Sequence, residues 1–241
     1  MLGEALAAGV PVESVYIDRA MLSPIDPAQA VLDQAYSAGS RVFELEPGVL
    51  GRVASTVTPQ PVLAVVPDVD VPLGWLGAHD ADLVVVCVDV RDPGNAGAVL
   101  RSAEAAGASG VVYCDGSVDL FNPKTVRASA GAMFHIPVVV GGDAGIVLDQ
   151  LGEWGLRRLG AVAGGGEDYA GTDLVSPVAL VLGNEAHGLP ERLSPKLDGR
   201  LTIPMAGQAE SLNVGMAAAV LCFEAARQRR LAGDEKMAGY R

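Results

Sequence analysis

The sequence contains no apolar run of about 18 or more residues, the length a membrane-spanning helix requires, although half of its 241 residues are apolar. No membrane partner is therefore expected. Its first residues, Met1-Leu2-Gly3-Glu4-Ala5, carry no basic stretch ahead of an apolar one and do not read as a signal peptide. Only three cysteines occur, Cys87, Cys114 and Cys222. Their odd number argues against a disulfide framework, their spacing fits no metal site, and all three fall in apolar strand or helix patterns. They read as buried thiols of a cytoplasmic protein, and no metal is expected. Basic residues are scarce as well: 17 Lys and Arg face 29 Asp and Glu, a net charge of −12. Residues 1–82 hold 3 of the former and 11 of the latter, and residues 83–241 hold 14 and 18. This is not the electrostatic footprint of a nucleic-acid binder. A nucleic-acid partner would need a local basic cluster, and the first third of the chain is the wrong place to look for it.

What is present is an alternation of strands and helices in a length that suits one large domain or two modest ones. A short helical piece at 3–9 precedes a strand at Val12–Ile17, a helix at Pro27–Ala38, a strand at Arg41–Leu45, a short helix at Pro47–Ala54 and a strand at Val62–Val66. This first part opens on a partial helix, as a domain lacking its first element would. Pro67–Asp82, with Pro67, Pro72, Gly74, Gly77 and several aspartates, is the linker candidate. The alternation then becomes regular. Strands are predicted at Leu83–Val88, Val111–Cys114, Pro137–Val140, Arg158–Ala163, Val178–Leu182 and Leu201–Ile203. Helices are predicted at Ala96–Ala106, Pro123–Phe134, Ala144–Trp154 and Ser211–Leu231, with a polar, frayed tail at 232–241. Continuous β-branched runs such as Leu83–Val88 are those of parallel strands covered on both faces. The predicted class is α/β, with a mostly parallel sheet and helices on both sides. Ligands of such sheets sit at the carboxyl ends of strands.

Four stretches carry candidate chemistry. In Asp92-Pro93-Gly94-Asn95-Ala96-Gly97-Ala98-Val99-Leu100-Arg101, Asn95 can cap the following helix, and Arg101 can pair with Glu104. Its glycine spacing matches neither a dinucleotide fingerprint nor a phosphate loop. In Asn122–Gly131, Lys124 and Arg127 lie on adjacent turns of one helix face; they suit phosphate or simply solvent. Val181-Leu182-Gly183-Asn184-Glu185-Ala186-His187-Gly188-Leu189 runs a strand into a glycine-bracketed loop that carries an acid. The chain's three histidines, His79, His135 and His187, all read as structural. The fourth stretch is Ile203-Pro204-Met205, a small-residue turn at Gly207, and Ser211-Leu212-Asn213-Val214. Ser211 or Asn213 can cap the helix that follows, and that helix is apolar almost all round (Met216 to Phe223), as a buried helix is. A loop feeding a buried helix offers free N–H groups beside an apolar wall, which suits a nucleoside-type cofactor.

Taken in order, these segments resemble the SpoU/TrmH-like RNA ribose 2′-O-methyltransferases of the SPOUT class. The first family motif resembles Asn95 to Arg101, the second Leu182 to Gly188, and the third Ile203–Met205 with Ser211–Val214. The match spans residues 83–231, and Asn122–Gly131 between the motifs is also similar. The resemblance implies a parallel sheet whose C-terminal part forms a deep trefoil knot, an architecture that no pattern rule would produce. It implies S-adenosylmethionine as cofactor, RNA as substrate, ribosomal RNA rather than transfer RNA, and a homodimer. By resemblance, Ala163, Gly183, Ile203, Met205 and Leu212 face the cofactor, and Asn95, Arg101, Glu185, Ser211 and Asn213 occupy the catalytic positions. An arginine is always protonated, so Arg101 is expected to position RNA and not to act as base. Lys124 and Arg127, with Arg91 and Arg101, are the candidate RNA contacts against the chain's negative charge. Residues 1–66 resemble an incomplete form of the small ribosomal-protein-like RNA-binding domain that precedes the catalytic domain in the family. Two other readings compete: a non-catalytic RNA-binding relative, and a nucleotide-binding α/β enzyme using the Gly164-Gly165-Gly166 turn.

Overall fold

A computed structural model of the chain describes residues 1–23, 27–53 and 59–238. It forms two compact units, Met1–Val69 and Asp70–Arg241.

The first unit contains α1 (Leu2–Ala7), β1 (Ser14–Ile17), α2 (Pro27–Ser37), β2 (Arg41–Glu44), α3 (Leu50–Val53) and β3 (Val62–Val65). The end of the helix predicted at Pro47–Ala54 lies outside the described residues. The sheet order is β2-β1-β3, with β2 parallel and β3 antiparallel to β1. Successive side chains alternate across a strand. Val15 and Ile17 are therefore buried with Leu32 and Ala35 of α2. Tyr16, between them in sequence, stacks on Phe43 with ring centroids 5.3 Å apart.

The second unit contains α4 (Gly74–Ala78), β4 (Leu83–Cys87), α5 (Pro93–Ala105), β5 (Gly110–Tyr113), α6 (Pro123–Ala128), β6 (Val138–Val140), α7 (Ala144–Glu153), β7 (Arg157–Ala161), β8 (Glu167–Asp168), β9 (Val178–Leu182), β10 (Gly199–Thr202) and α8 (Val214–Ala238). The seven strands follow the order β6-β5-β4-β9-β7-β10-β8, and their pairings are parallel. The α/β class with a mostly parallel sheet is as predicted. β4 and β9, the two most apolar runs, are central and fully buried. All three cysteines are buried, and burial pushes the thiols of Cys114 and Cys222 up to about 12, so they stay protonated and inert. Among the described residues no helix is long and apolar enough to cross a membrane.

Several boundaries differ from expectation. The second half of the predicted linker is folded. The Val71 N–H donates to the Val138 carbonyl, α4 follows, and Leu76 is fully buried in the core beneath the sheet. The prolines and aspartates signalled a break in regular structure, but the apolar Val71, Leu73, Trp75 and Leu76 needed a core. The helix predicted at Pro123–Phe134 is two pieces: α6 ends at Ala128, Ala130 and Gly131 take left-handed backbone angles, and a single 3₁₀ turn covers Ala132–Phe134. The tail predicted to fray from 232 continues α8 through Ala238, and only 239–241 lie outside the described residues. Nor is α8 buried all round. Ala218, Leu221, Cys222 and Ala225 are buried, whereas Met216 and Phe223 are 61% and 51% exposed. Composition could not separate a helix buried on every side from one whose second face is apolar and uncovered.

Candidate functional site

The site is built where β4 and β9 end side by side. After β4, Val88 donates its N–H to the Leu182 carbonyl, and Asp89 turns the chain with a left-handed φ of 57°. Asp92 then caps α5, its carboxylate accepting the Asn95 N–H at 2.8 Å, with Pro93 in the first turn. Asn95 is thus not the cap, as the sequence suggested, and its side chain is left available. The buried Tyr113 hydroxyl donates to the Ala96 carbonyl at 2.7 Å and fixes this first turn to β5.

The third motif arrives from α8. Asn213, and not Ser211, caps that helix: its Oδ1 accepts from the N–H groups of Gly215 at 2.9 Å and Met216 at 3.4 Å. Gly215 lets α8 cross α5 closely, since a Cβ there would lie 2.8 Å from that of Ala98. The crossing brings two distant asparagines together. Nδ2 of Asn213 donates to Oδ1 of Asn95 at 2.7 Å, and Nδ2 of Asn95 donates to Glu185 Oε1 at 3.0 Å. Glu185 also accepts the N–H groups of Asp92 at 3.2 Å and Arg91 at 3.4 Å. Partial burial pushes its carboxyl up, but these hydrogen bonds outweigh that and hold it below the usual glutamate range. Glu185 is ionised at neutral pH, and its lone pairs are engaged.

Glu185 sits in a loop that folds back on itself. Asn184 and Gly188 exchange backbone hydrogen bonds of 3.1 and 2.9 Å. This needs a glycine at 183, because a Cβ would lie 2.4 Å from the Gly188 carbonyl carbon. Gly183 thus serves the loop's own backbone first. The Asn184 side chain completes the loop. Its Oδ1 accepts from the N–H of Ala186 at 2.9 Å and of His187 at 3.1 Å, and its Nδ2 donates to the Asp89 carbonyl at 2.9 Å and to Asp89 Oδ2 at 3.2 Å.

The loop is the wall between two concavities. On one side is a cavity of about 460 Å³. Ala163, Gly183, Ile203, Met205 and Leu212, the five residues expected to face a cofactor, all line it, together with Glu185 and Ser211. Leu182, Leu201, Val214 and Leu221 make its apolar wall, and Glu210 adds a carboxylate that the sequence reading missed. The size and the mostly apolar lining with a few polar groups suit a nucleoside-sized ligand. On the other side is an open, polar hollow bordered by Asp89, Arg91, Asp92, Asn95, Glu185, His187 and Asn213. Four of the five expected catalytic residues border one concavity or the other. Arg101 borders neither: it lies on α5 six residues beyond Asn95, exposed, and the pair with Glu104 does not form. Lys124 and Arg127 on α6 are exposed and also border neither. Asp89 and Asn184 were not singled out by sequence, and His187 was read as structural. Asn184 and His187 stand within the second motif, but Asp89 gave no signal, because its partner is 95 residues away. The triple-glycine turn is tied to β10, Gly166 donating its N–H to Thr202 Oγ1 at 3.0 Å.

Comparison with known proteins places this arrangement. The sequence model of the SpoU rRNA Methylase family matches residues 82–223, the stretch that carries all three motifs. The 23S rRNA (guanosine(2553)-2′-O)-methyltransferase RlmP of Bacillus subtilis is 38% identical over 185 residues, 77% of this chain and 72% of that one. The structure is similar to that of the SpoU methyltransferase AviRb from Streptomyces viridochromogenes, with a TM-score of 0.82 and 29% identity over 95% of this chain and 86% of that one. It is also similar to the AdoMet-bound rRNA methyltransferase from Sinorhizobium meliloti, with a TM-score of 0.78 and 29% identity over 94% of this chain and 84% of that one. With a family model that matches more than half of its residues and a relative 38% identical over 72% of that relative's length, the chain belongs to the SpoU rRNA methylase family.

Proposed function

We propose that this chain methylates a ribose 2′-hydroxyl of ribosomal RNA, with S-adenosylmethionine held in the 460 Å³ cavity. The observation that carries this reading is the shared wall. One loop, 183–188, separates an apolar nucleoside-sized cavity from a polar hollow that contains the Asn213–Asn95–Glu185 chain. A cofactor on one side and a ribose on the other are then divided by a few side chains. The names of the relatives from Bacillus subtilis and Sinorhizobium meliloti point to the same chemistry and cofactor. The cavity walls fit adenosine through Ile203, Leu212, Val214 and Leu221, and Glu210 suits a cationic group of the ligand. The bound cofactor supplies an electrophilic methyl group; the protein orients the acceptor and excludes water. Asn95, held from both ends, and Glu185 fix the loop at the junction. Ser211 borders the cofactor cavity beside them.

The chain acts as a homodimer. Met216 and Phe223, one heptad apart on α8, present an uncovered apolar face, and Arg101 is too far along α5 to border its own hollow. A second copy on that face brings Arg101 to the partner's site as the phosphate-positioning group. The return of the chain from β10, beside β7, to α8 against α5 fits a passage through the 183–198 segment, which makes the trefoil knot. Residues 1–66 serve as the RNA-binding domain, and Lys124 and Arg127 contact the RNA backbone. The protein works in the cytoplasm, where ribosomal RNA is available.

The test is to map ribose 2′-O-methylation in ribosomal RNA from cells with and without the protein. One or a few sites should lose methylation when it is removed. An unchanged ribosomal map with a lost transfer-RNA site would move the substrate, and no change in any RNA would sink the reading. Calorimetry with S-adenosylmethionine should give one site per chain.

A further inference from the structure

Methyl transfer to a ribose hydroxyl requires that a proton leave, and the five residues expected at the catalytic positions offer no acceptor for it. Arg101 is permanently protonated. Glu185 is held below the usual glutamate range and accepts three hydrogen bonds. Asn95, Ser211 and Asn213 are neutral groups that do not take up a proton near neutral pH.

We infer that His187 is the proton acceptor, with Asn184 and Asp89 as the positioning residues that set its tautomer. The hydrogen bonds around Asn184 fix the ring. The Asn184 amide is fixed in orientation, because its Oδ1 faces two backbone N–H donors, those of Ala186 and His187, and its Nδ2 faces two acceptor oxygens of Asp89. The Nδ1 atom of His187 lies 3.1 Å from that same Oδ1. A carboxamide oxygen only accepts, so Nδ1 must carry the hydrogen. In the neutral ring Nε2 is then left with its lone pair, able to accept. The order of the chain is Arg91 to Asp89, through a 2.7 Å bond from Nε to Oδ1, then Asn184, then His187. His187 is also one of four consecutive residues, 184–187, that border both the apolar cavity and the polar hollow. It therefore stands at the junction where cofactor and ribose meet in the proposed function, on which this assignment rests. The other two histidines stand elsewhere, and His79 also has its Nδ1 against an acceptor, the Trp75 carbonyl at 2.7 Å. His79 stacks on Trp75 at 3.7 Å, and His135 follows the 3₁₀ turn after α6; neither borders the two concavities.

The step balances simply. The 2′-O–H bond breaks and the proton passes to Nε2. The electron pair remains on oxygen, which forms the bond to the methyl carbon as the carbon–sulfur bond breaks with its pair going to sulfur. The imidazolium then releases its proton to water. An imidazole exchanges protons near neutral pH, which is what a general base requires. The charged groups that border the same two concavities are Asp89, Arg91, Asp92, Glu185 and Glu210. Four of these five are carboxylates.

The test has two arms. In single-turnover methyl transfer to ribosomal RNA from cells lacking the protein, His187→Gln should lower the rate constant about 100-fold while KM for RNA stays within about twofold, the range general-base removal produces. The second arm needs no turnover. Nitrogen NMR of the free protein with labelled histidine should show the neutral His187 ring protonated at Nδ1 and bare at Nε2, and Asn184→Ala should release that preference. A wild-type protein that transfers no methyl to any RNA fails the proposed function, and this assignment falls with it. A wild-type protein that does transfer, with a His187→Gln variant within threefold of it or a ring protonated at Nε2, overturns the assignment alone.

Discussion

Asn213 donates its side-chain N–H to Asn95 across 118 residues of sequence, at 2.7 Å, while the oxygen of the same amide caps α8. One side chain thus joins the start of the last helix to the first turn of α5, and through Asn95 to Glu185. Replacing Asn213 with Ala removes the cap and leaves the Asn95 oxygen without its donor. Loss of a side-chain cap costs about 0.5–2 kcal/mol. Chemical denaturation should show a loss in that range, and methyl transfer should fall by more than the stability change explains. Full activity in a variant of unchanged stability would contradict the role given to this residue.

Gly183 has no room for a side chain. A methyl group there meets the backbone of Gly188 and Leu189 at 2.4–2.5 Å, and a backbone neighbour cannot rotate away as a flexible side chain can. Overpacking of this kind costs about 1–3 kcal/mol and forces the backbone to shift. Gly183→Ala should lower the melting temperature and, because the displaced loop is the wall of the cofactor cavity, should also weaken S-adenosylmethionine binding in calorimetry. Gly164→Ala is the control. Nothing lies within 4 Å of a Cβ at 164, so that variant should keep wild-type stability.

Glu185→Gln separates charge from shape. The carboxylate is held below its ordinary value of 4.5 by Asn95 and by two backbone N–H groups, against the effect of burial. A carboxyl depressed in the folded state contributes stability that is present above its unfolded pKa and is lost as pH falls through the folded value. In wild type this contribution therefore begins to fall near pH 4.5 and is lost progressively below it. In Glu185→Gln it is absent throughout. The two stability curves should be separated at pH 7 and converge in acid, as followed by denaturant titration at several pH values. Parallel curves would show that Glu185 carries no folded-state preference for its charge.

How much of this was legible in the sequence depended on the range of the interactions involved. The β-branched runs at Leu83 and Val178 announced buried parallel strands, because a strand covered on both faces can be nothing but apolar. Asn95, Glu185 and Asn213 could be picked out only as an ordered set of motifs, and their mutual contact could not be read at all. The capping residue of α5 was misread for a local reason: Asp92 and Asn95 are both good caps, and the choice turns on a backbone angle. Leu76 was assigned to a linker because Pro72 and Gly74 beside it are turn residues, while its partners in the core come from distant strands. Asp89 was invisible for the same reason. Its left-handed backbone and its bonds to Asn184 exist only once β4 and β9 are adjacent. The uncovered face of α8 was legible as apolar and wrongly taken as buried in the chain's own core.

Arg101 decides whether the site belongs to one chain or two. Its side chain is exposed, without a hydrogen bond or ion pair to the described residues, and it borders neither concavity of its own chain. Arg101→Ala should therefore leave both stability and cofactor affinity unchanged while abolishing methyl transfer. If Arg101 serves the partner's site, subunits can complement. Arg101→Ala and Asn213→Ala chains should recover activity when mixed and allowed to exchange, if each is first shown to be inactive alone. A heterodimer has one site with both an intact Asn213 and an arginine donated by the other chain. At equal concentrations half of the dimers are mixed and each carries one good site of two, so about a quarter of wild-type activity should return, provided that subunits exchange at random with symmetric dimer statistics. Mixing without recovery, in a sample shown to have exchanged, would place Arg101 in its own chain's site or outside the reaction.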